Sequence, residues 1–399
     1  MTYLSGVALK LITPLFCIFV IATLGYLLGG IKVKGISLGT AGVLIVALLF
    51  GILANKIPSF SFAGNEITLF GDSIKSTYSF VSSLGTALFV TAVGLIAGPK
   101  FFRNFNKKSI GYIFMGVIVI LSGALITLLI VLIGKVDKNM AVGLMTGALT
   151  STPGLSAAKE VAGDLGESAV TAGYGIAYLF GVLGVVFFVQ LMPRFEKVDM
   201  EKEKEKIIAA GEVNIKKVNG KLVKIDTFDI FPFVMTVALG MILGSFKIPG
   251  INFSLGTSGG TLIMGLIVGH FGHIGKISLS VNKNTLNFMR ELGLCLFLIG
   301  AGVPGGVNFV THFKAIYFLW GALITLIPMF IGYFVSKYVF KFGILNNLAS
   351  ITGGMTSTPA LGTLISVAGT DEISGSYAAT YPVALVFVVL AAKIIIMIV

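Results

Sequence analysis

Gly147-Ala148-Leu149-Thr150-Ser151-Thr152-Pro153-Gly154 is answered, more than two hundred residues on, by Gly353-Gly354-Met355-Thr356-Ser357-Thr358-Pro359-Ala360. Both stretches interrupt segments that are otherwise apolar. Proline inside a helix removes an intrahelical hydrogen bond and clashes with the preceding turn, so each break frees backbone groups that need partners. At membrane depth such irregular backbone is tolerated only where it is buried in protein or lines a water-filled cavity. The three hydroxyl residues beside each proline can satisfy that backbone and can also hold a solute. A helix beginning at Pro153 or Pro359 would present N–H groups and a positive dipole end, a natural seat for a carboxylate.

The composition around the breaks sets the class. Of 399 residues, 56% are hydrophobic and only 12% charged, and mean hydropathy is +0.98. A soluble domain carries about a quarter charged residues, so this chain lacks the charge for a water-facing surface. Residues 110–134 and 168–193 carry no charge at all, and about 20 apolar residues suffice to cross the hydrocarbon core. The first apolar segment, near 11–30, has no clear small-residue cleavage site after it and reads as a retained helix. The 51 glycines and 11 prolines suit helices that pack closely and break within a membrane. The net charge of +12 sits in short loops between apolar runs, which reports topology and not a nucleic-acid surface. Cys17 and Cys295 lie inside apolar segments, and neither they nor His270, His273 and His312 have metal-ligand spacing. There is no Walker loop, nucleophile elbow or zinc motif, so a primary pump, a membrane hydrolase and a metal enzyme are disfavoured, and no cofactor is expected.

The two halves repeat in order. Ser37-Leu38-Gly39-Thr40 recurs as Ser254-Leu255-Gly256-Thr257, Leu84-Gly85 as Leu292-Gly293, Thr150 to Pro153 as Thr356 to Pro359, and Tyr174/Tyr178 as Tyr377/Tyr381. Internal repeats of this kind typify secondary transporters. Six apolar segments fall in each half, near 11–31, 37–54, 79–98, 110–134, 141–163 and 169–192, then 229–246, 255–271, 286–303, 314–336, 346–368 and 375–398. If the interrupted fifth segment of each half dips in and returns, each half crosses five times and the halves run in opposite directions. With the N-terminus outside, the basic clusters at 100–108 and in the polar stretch 194–226 fall inside, as the positive-inside rule asks. The expectation is therefore an all-α polytopic protein of the bacterial inner membrane. It has two inverted-topology repeats, each of five transmembrane helices plus one re-entrant segment: residues 1–193, a cytoplasmic linker 194–227, and residues 228–399. The linker, with its alternating Glu201–Lys206 run and Asn219-Gly220, reads as a solvated stretch, part helix and part hairpin.

Candidate solute-binding residues follow from the paired breaks: Thr150, Ser151, Thr152, Pro153, Thr356, Ser357, Thr358 and Pro359. Tyr174/Tyr178 and Tyr377/Tyr381 each share a helix face and could offer phenols to a carboxylate or serve as interfacial anchors. Thr380 lies within the second pair. Lys159 and Glu160 follow the first proline on the returning arm; they could pair locally, or Lys159 could meet an anionic solute. Arg290-Glu291 opens a crossing helix, where topogenic and snorkelling roles suffice, and Lys393 reads as snorkelling outward. Asp164/Glu167 and Asp371/Glu372 read as solvated turns or helix caps. Gly94, Gly98, Gly300 and Gly302 read as helix-packing positions.

The stretches Thr146–Ala158, Gly353–Gly362, Gly173–Tyr178 and Tyr377–Pro382 resemble the bacterial aspartate–alanine exchanger family. The likeness covers both membrane halves. It implies exchange of small amino acids and dicarboxylates without a cofactor, a path lined by the Ser-Thr-Pro segments, and a homodimer whose early helices form the scaffold. Members of that family carry a large central regulatory insertion, where this chain has only 194–226. The general plan also resembles sodium–glutamate and citrate-type symporters, so a Na⁺- or H⁺-coupled symporter of a small carboxylate stays open beside an exchanger.

Overall fold

The computed structural model describes residues 13–33, 36–37, 40–57, 59–62, 65–68, 72–101, 110–210, 222–248, 253–307, 309, 313–370 and 373–399. The first half runs α1 (Pro14–Gly30), hairpin β1 (Lys32–Val33) with β2 (Ile36–Ser37), α2 (Ala41–Lys56) and hairpin β3 (Ser59–Phe62) with β4 (Asn65–Thr68). It continues with α3 (Asp72–Phe101), α4 (Ile110–Leu132), α5 (Lys138–Ala148) and α6 (Thr152–Phe195). The polar α7 (Met200–Ala210) separates the halves; Asn219-Gly220 lies outside the described residues. The second half repeats the order: α8 (Ile230–Ser245), β5 (Lys247–Ile248) with β6 (Phe253–Ser254), α9 (Gly256–Phe271), β7 (His273–Ile274) with β8 (Ile277–Ser278), and α10 (Lys283–Val307). Then follow α11 (Ile316–Phe334), continued by a π-helical turn at Val335–Val339, α12 (Ile344–Gly354), α13 (Thr358–Ala368) and α14 (Ser374–Ile398). All four hairpins are antiparallel. In lipid a backbone must satisfy its own hydrogen bonds, in a helix or around a closed barrel, and these continuous apolar segments lack the alternation of barrel strands.

Among the described residues, six helices are long and apolar enough to cross a membrane: those at 74–99, 110–132, 166–195, 283–307, 316–339 and 375–398. The other four expected crossings, α1, α2, α8 and α9, have 16 or 17 residues. At about 1.5 Å of rise per residue they reach roughly 24–26 Å, a little under the ~30 Å hydrocarbon core. α4 shows how the membrane-facing sides are built: Phe114, Leu121, Leu125 and Leu132 form an exposed apolar stripe, while Met115, Val119 and Ile120 on the other side are buried. The fold class is thus an all-α polytopic membrane protein.

Two groups of helices follow from the packing. α1 packs on α2, α2 on α10, α8 on α9, α9 on α3, and α3 on α10. The α3–α10 crossing is made possible by Gly85 and Gly293, where any side chain would run into the backbone of Phe297 and Phe89 respectively. Gly94, Gly98 and Gly300 also face neighbouring backbone, as expected, and Gly302 meets Ala47 and Leu44. In the other group α5 packs on α6, α12 on α14, α4 on α14 and α11 on α6. At the polar end of α8, the Asp226 carboxylate accepts the N–H groups of Phe231, Ile230 and Phe228 at 2.8, 2.8 and 3.0 Å. Those bonds, with that from Phe231 the largest contribution, hold its carboxyl below the usual range.

Candidate functional site

Both breaks are helix ends of one design. α5 finishes with Ser151 N–H donating to the Thr146 carbonyl at 2.8 Å and Thr150 N–H to that of Gly147 at 2.9 Å; α12 finishes with Ser357 N–H to Thr352 at 3.1 Å and Thr356 N–H to Gly353 at 3.0 Å. This is a Schellman-type stop, which normally places glycine at the left-handed position. Here that position holds threonine, with φ of 53° at Thr150 and 51° at Thr356. A β-branched residue in this region is strained by about 1–3 kcal/mol. The hydroxyls explain its use. Thr150 Oγ1 donates to the Met355 carbonyl at 2.8 Å, and Thr356 Oγ1 donates to the Leu149 carbonyl at 3.0 Å. Each break therefore satisfies a terminal carbonyl of the other, and the two tips are clasped.

The next helices start at once. α6 begins at Thr152 and α13 at Thr358, with proline in the first turn, where its missing N–H costs nothing. Ser151 Oγ accepts from Gly154 N–H at 3.2 Å and caps α6. Ser357 Oγ is buried without a hydrogen-bond partner among the described residues. Of Thr358 and Pro359 only the backbone lies within the described structure. The tyrosine helices lie directly against the breaks: a side chain at Gly147 would come within 2.5 Å of the Tyr174 carbonyl, and one at Gly353 within 2.8 Å of the Tyr377 carbonyl. Tyr174 stacks on Tyr178 at 4.9 Å and Tyr377 on Tyr381 at 5.0 Å between ring centroids. The Tyr174 hydroxyl sits 3.2 Å from Thr152 Oγ1.

The clasp opens onto a cavity of about 530 Å³, inside the ~300–1,000 Å³ range of small-molecule sites. Thr150, Thr152 and Pro153 line it from the first break and Thr356 from the second; Tyr178 and Tyr381 line it from the tyrosine pairs. Ser151, Ser357, Tyr174 and Tyr377 stand behind these as support. Thr380 does not line it; its hydroxyl donates to the Ser376 carbonyl of its own helix at 3.1 Å.

Two residues whose sequence context reads as topogenic sit in this cavity, Arg290 and Glu291, together with Phe89, Val93 and Leu294. Arg290 Nη2 and Nε both donate to one Glu291 oxygen, at 2.8 and 3.3 Å. A guanidinium has five N–H donors, so the pair leaves donors for another acceptor. The only sequence signal for this role is the placement of Arg290 within the helix that carries Leu292-Gly293, the glycine of the α3–α10 crossing.

Lys159 lies elsewhere. It is buried, with its Nζ 3.5 Å from Glu167 Oε2 and 3.5 Å from Ser82 Oγ. It lines a second cavity and pairs neither with Glu160 nor with the breaks. Glu160 accepts from Lys393 Nζ at 2.7 Å and from the Ser258 N–H at 2.7 Å. Lys393 is 1% exposed, so it does not snorkel; the Glu160 carboxylate and the Ser254 carbonyl hold it inside. Glu167, expected in a solvated turn, is likewise an ion-pair partner. Asp371 and Glu372 lie outside the described residues. Among the described residues no group of three or more His, Cys, Asp or Glu could hold a metal ion.

A family model described as the predicted permease membrane region, Asp-Al_Ex, matches residues 17–194 and 232–397. The chain belongs to this family. The match covers both helical halves and skips the segment that contains α7. Relatives include an uncharacterized transporter of Bacteroides fragilis (strain YCH46), 27% identical over 95% of this chain and 97% of its own length. Another, of Desulfotalea psychrophila, is 26% identical over 96% and 97%, and one of Rhodopirellula baltica is 25% identical over 95% and 98%. These alignments run over 540 or more positions, beyond the 399 residues of this chain. These relatives therefore carry segments that have no counterpart in the 399 residues.

Proposed function

We propose that this membrane permease is a secondary transporter that exchanges small carboxylates, amino acids or dicarboxylates of the aspartate, alanine or succinate type, by alternating access. The observation that carries the reading is the reciprocal clasp of the two threonines inside a cavity that also holds Arg290. In the proposed complex Arg290 takes the solute carboxylate, exchanging Glu291 for it, because guanidinium matches carboxylate geometry. The Thr152 hydroxyl and the Tyr178 and Tyr381 phenols supply further donors. The clasp is a bistable element: two helix tips joined by two hydrogen bonds can part and re-form without unfolding either helix. The relatives' name of transporter agrees with the class.

The proposed setting is the bacterial inner membrane as two inverted repeats, N-terminus outside and α7 cytoplasmic, as a homodimer on the scaffold helices. Single cysteines at positions 30–34 and 135–138 are expected to react with impermeant reagents from opposite sides; reaction from the same side overturns this topology.

Counterflow in proteoliposomes tests the function. With aspartate or succinate inside, labelled aspartate, alanine or succinate outside, and no Na⁺ or H⁺ gradient, uptake that requires internal solute is expected. Uptake only under an imposed Na⁺ or H⁺ gradient would replace exchange by symport and make the threonine hydroxyls and the Leu149 and Met355 carbonyls candidate cation ligands.

A further inference from the structure

The second cavity, about 120 Å³, is lined by Ser79, Ser82, Ser83, Thr86, Ser156 and Lys159, with Glu160, Glu167, Thr257 and Phe297 completing it. The internal repeat relates part of its lining to that of the first cavity. Thr257 stands in the second half where Thr40, a lining residue of the first cavity, stands in the first. In the register of Leu84-Gly85 and Leu292-Gly293, Phe297 corresponds to Phe89, and Ser82-Ser83 correspond to Arg290-Glu291. Those positions go one to each cavity, whereas the break and tyrosine positions do not divide in this way: Thr150 and Thr356, and Tyr178 and Tyr381, all line the first. The cations do not stand at matching positions: the first cavity takes Arg290 from α10, and the second takes Lys159 from α6.

Three helices line both cavities along one face. On α3 the series Ser79, Ser82, Ser83 and Thr86 of the second cavity continues as Phe89 and Val93 of the first; on α6 Ser156 and Lys159 follow Thr152 and Pro153; on α10 Phe297 follows Leu294. Each step from one cavity to the other is three residues, roughly 4.5 Å of helix rise. The partition is therefore about one helical turn thick. It consists of the Phe89–Phe297 ring pair, with centroids 5.4 Å apart, and the Thr86 Oγ1···Ser156 Oγ contact at 3.1 Å. All four residues are buried.

Resting on the exchanger reading above, we infer that the second cavity is the half of the solute path that opens to the opposite side, and that Lys159 is its carboxylate-binding cation. Lys159 holds Glu167 in this conformation and exchanges it for the solute carboxylate once the Phe89–Phe297 and Thr86–Ser156 partition parts. Gly163, at φ 63° and ψ 177°, is where the re-entrant arm bends away from the spanning part of α6; no atom would obstruct a side chain there, so its backbone freedom is what the site uses.

Two measurements on the full chain in proteoliposomes test this. In the first, Val93→Cys and Ser83→Cys are exposed to an impermeant cationic methanethiosulfonate from either side, with wild type giving the background of Cys17 and Cys295. Val93→Cys is expected to react from one side and Ser83→Cys from the other. Reaction of Ser83→Cys from the same side as Val93→Cys, or from neither, overturns the path. In the second, labelled-aspartate counterflow is measured. Lys159→Gln is expected to slow it at least about tenfold, Lys159→Arg to retain most of it, and Lys159→Gln with Glu167→Gln to stay slow. Recovery in the double variant would make Lys159 a mere ion-pair partner and overturn its role. If wild type transports neither aspartate nor succinate, with or without an imposed Na⁺ or H⁺ gradient, the carboxylate reading fails and the Lys159 role falls with it, while the labelling directions still decide the path.

Discussion

At the first break Ser151 caps its helix and Thr152 reaches a tyrosine hydroxyl, whereas at the second Ser357 is buried with its hydroxyl unpaired among the described residues. The backbones hardly differ: Thr150 and Thr356 have φ of 53° and 51°, and Ser151 and Ser357 have ψ of 97° each. The returning arms differ most. The first carries Lys159 and Glu160, both in ion pairs. The matching positions of the second, counted from Pro359, are Ile365 and Ser366. One backbone device thus serves two environments. The first break is tied down by local bonds and by the ion pairs of its arm, and at the second the clasp bond of Thr356 joins the opposite break.

The largest effect tests what the clasp is for. Arg290→Gln is expected to lower aspartate counterflow about a hundredfold, the scale of losing a desolvated charge pair, with the protein still folded by thermal unfolding in detergent. Undiminished exchange would leave the cavity without its anchor. Next, Thr150→Val and Thr356→Val each strand a buried carbonyl of the opposite break. Each should cost about 1–3 kcal/mol in stability and slow exchange roughly tenfold. Equal losses in the two would show that the clasp works as a unit, and a silent one would break the comparison. Smaller still, Tyr178→Phe and Tyr381→Phe should raise KM about fivefold with kcat little changed, the size of one hydrogen bond. An effect in only one would mean that the solute leans on one half. The smallest contrast is the sharpest. Ser151→Ala should cost about 1 kcal/mol of stability as a lost cap, and Ser357→Ala less, because its hydroxyl has no hydrogen bond to lose among the described residues. A reversed order would mean that the second serine has a partner in the folded membrane protein.

Much of the site is legible in the order of residues alone. The two Ser-Thr-Pro breaks announce themselves because proline and hydroxyl residues inside an apolar run have no cheap explanation, and because they occur twice. The tyrosine pairs can be seen as faces, though not as stacks against the breaks. Arg290 is not legible. A basic residue at the edge of an apolar segment reads as a topological marker, and only the crossing of α3 over α10 turns it towards the breaks. Lys393 misleads for the same reason: near the end of a helix it has water within reach along the chain, while in the fold Glu160, on another helix, claims it.

By itself the sequence determined that this chain is a polytopic helical membrane protein, that its two halves share an order of motifs, and where each half breaks. Those properties depend on hydropathy, on charge placement and on the local stereochemistry of proline, all of which act over a few residues. The tertiary structure decided that the two breaks bond each other, that Arg290 and not Lys159 shares their cavity, and that Lys159 and Lys393 are buried in ion pairs. Those facts depend on which side chains meet across sequence separations of up to 233 residues. At such separations only the packing of the helices, set by glycine contacts as at Gly85 and Gly293, determines who is whose neighbour.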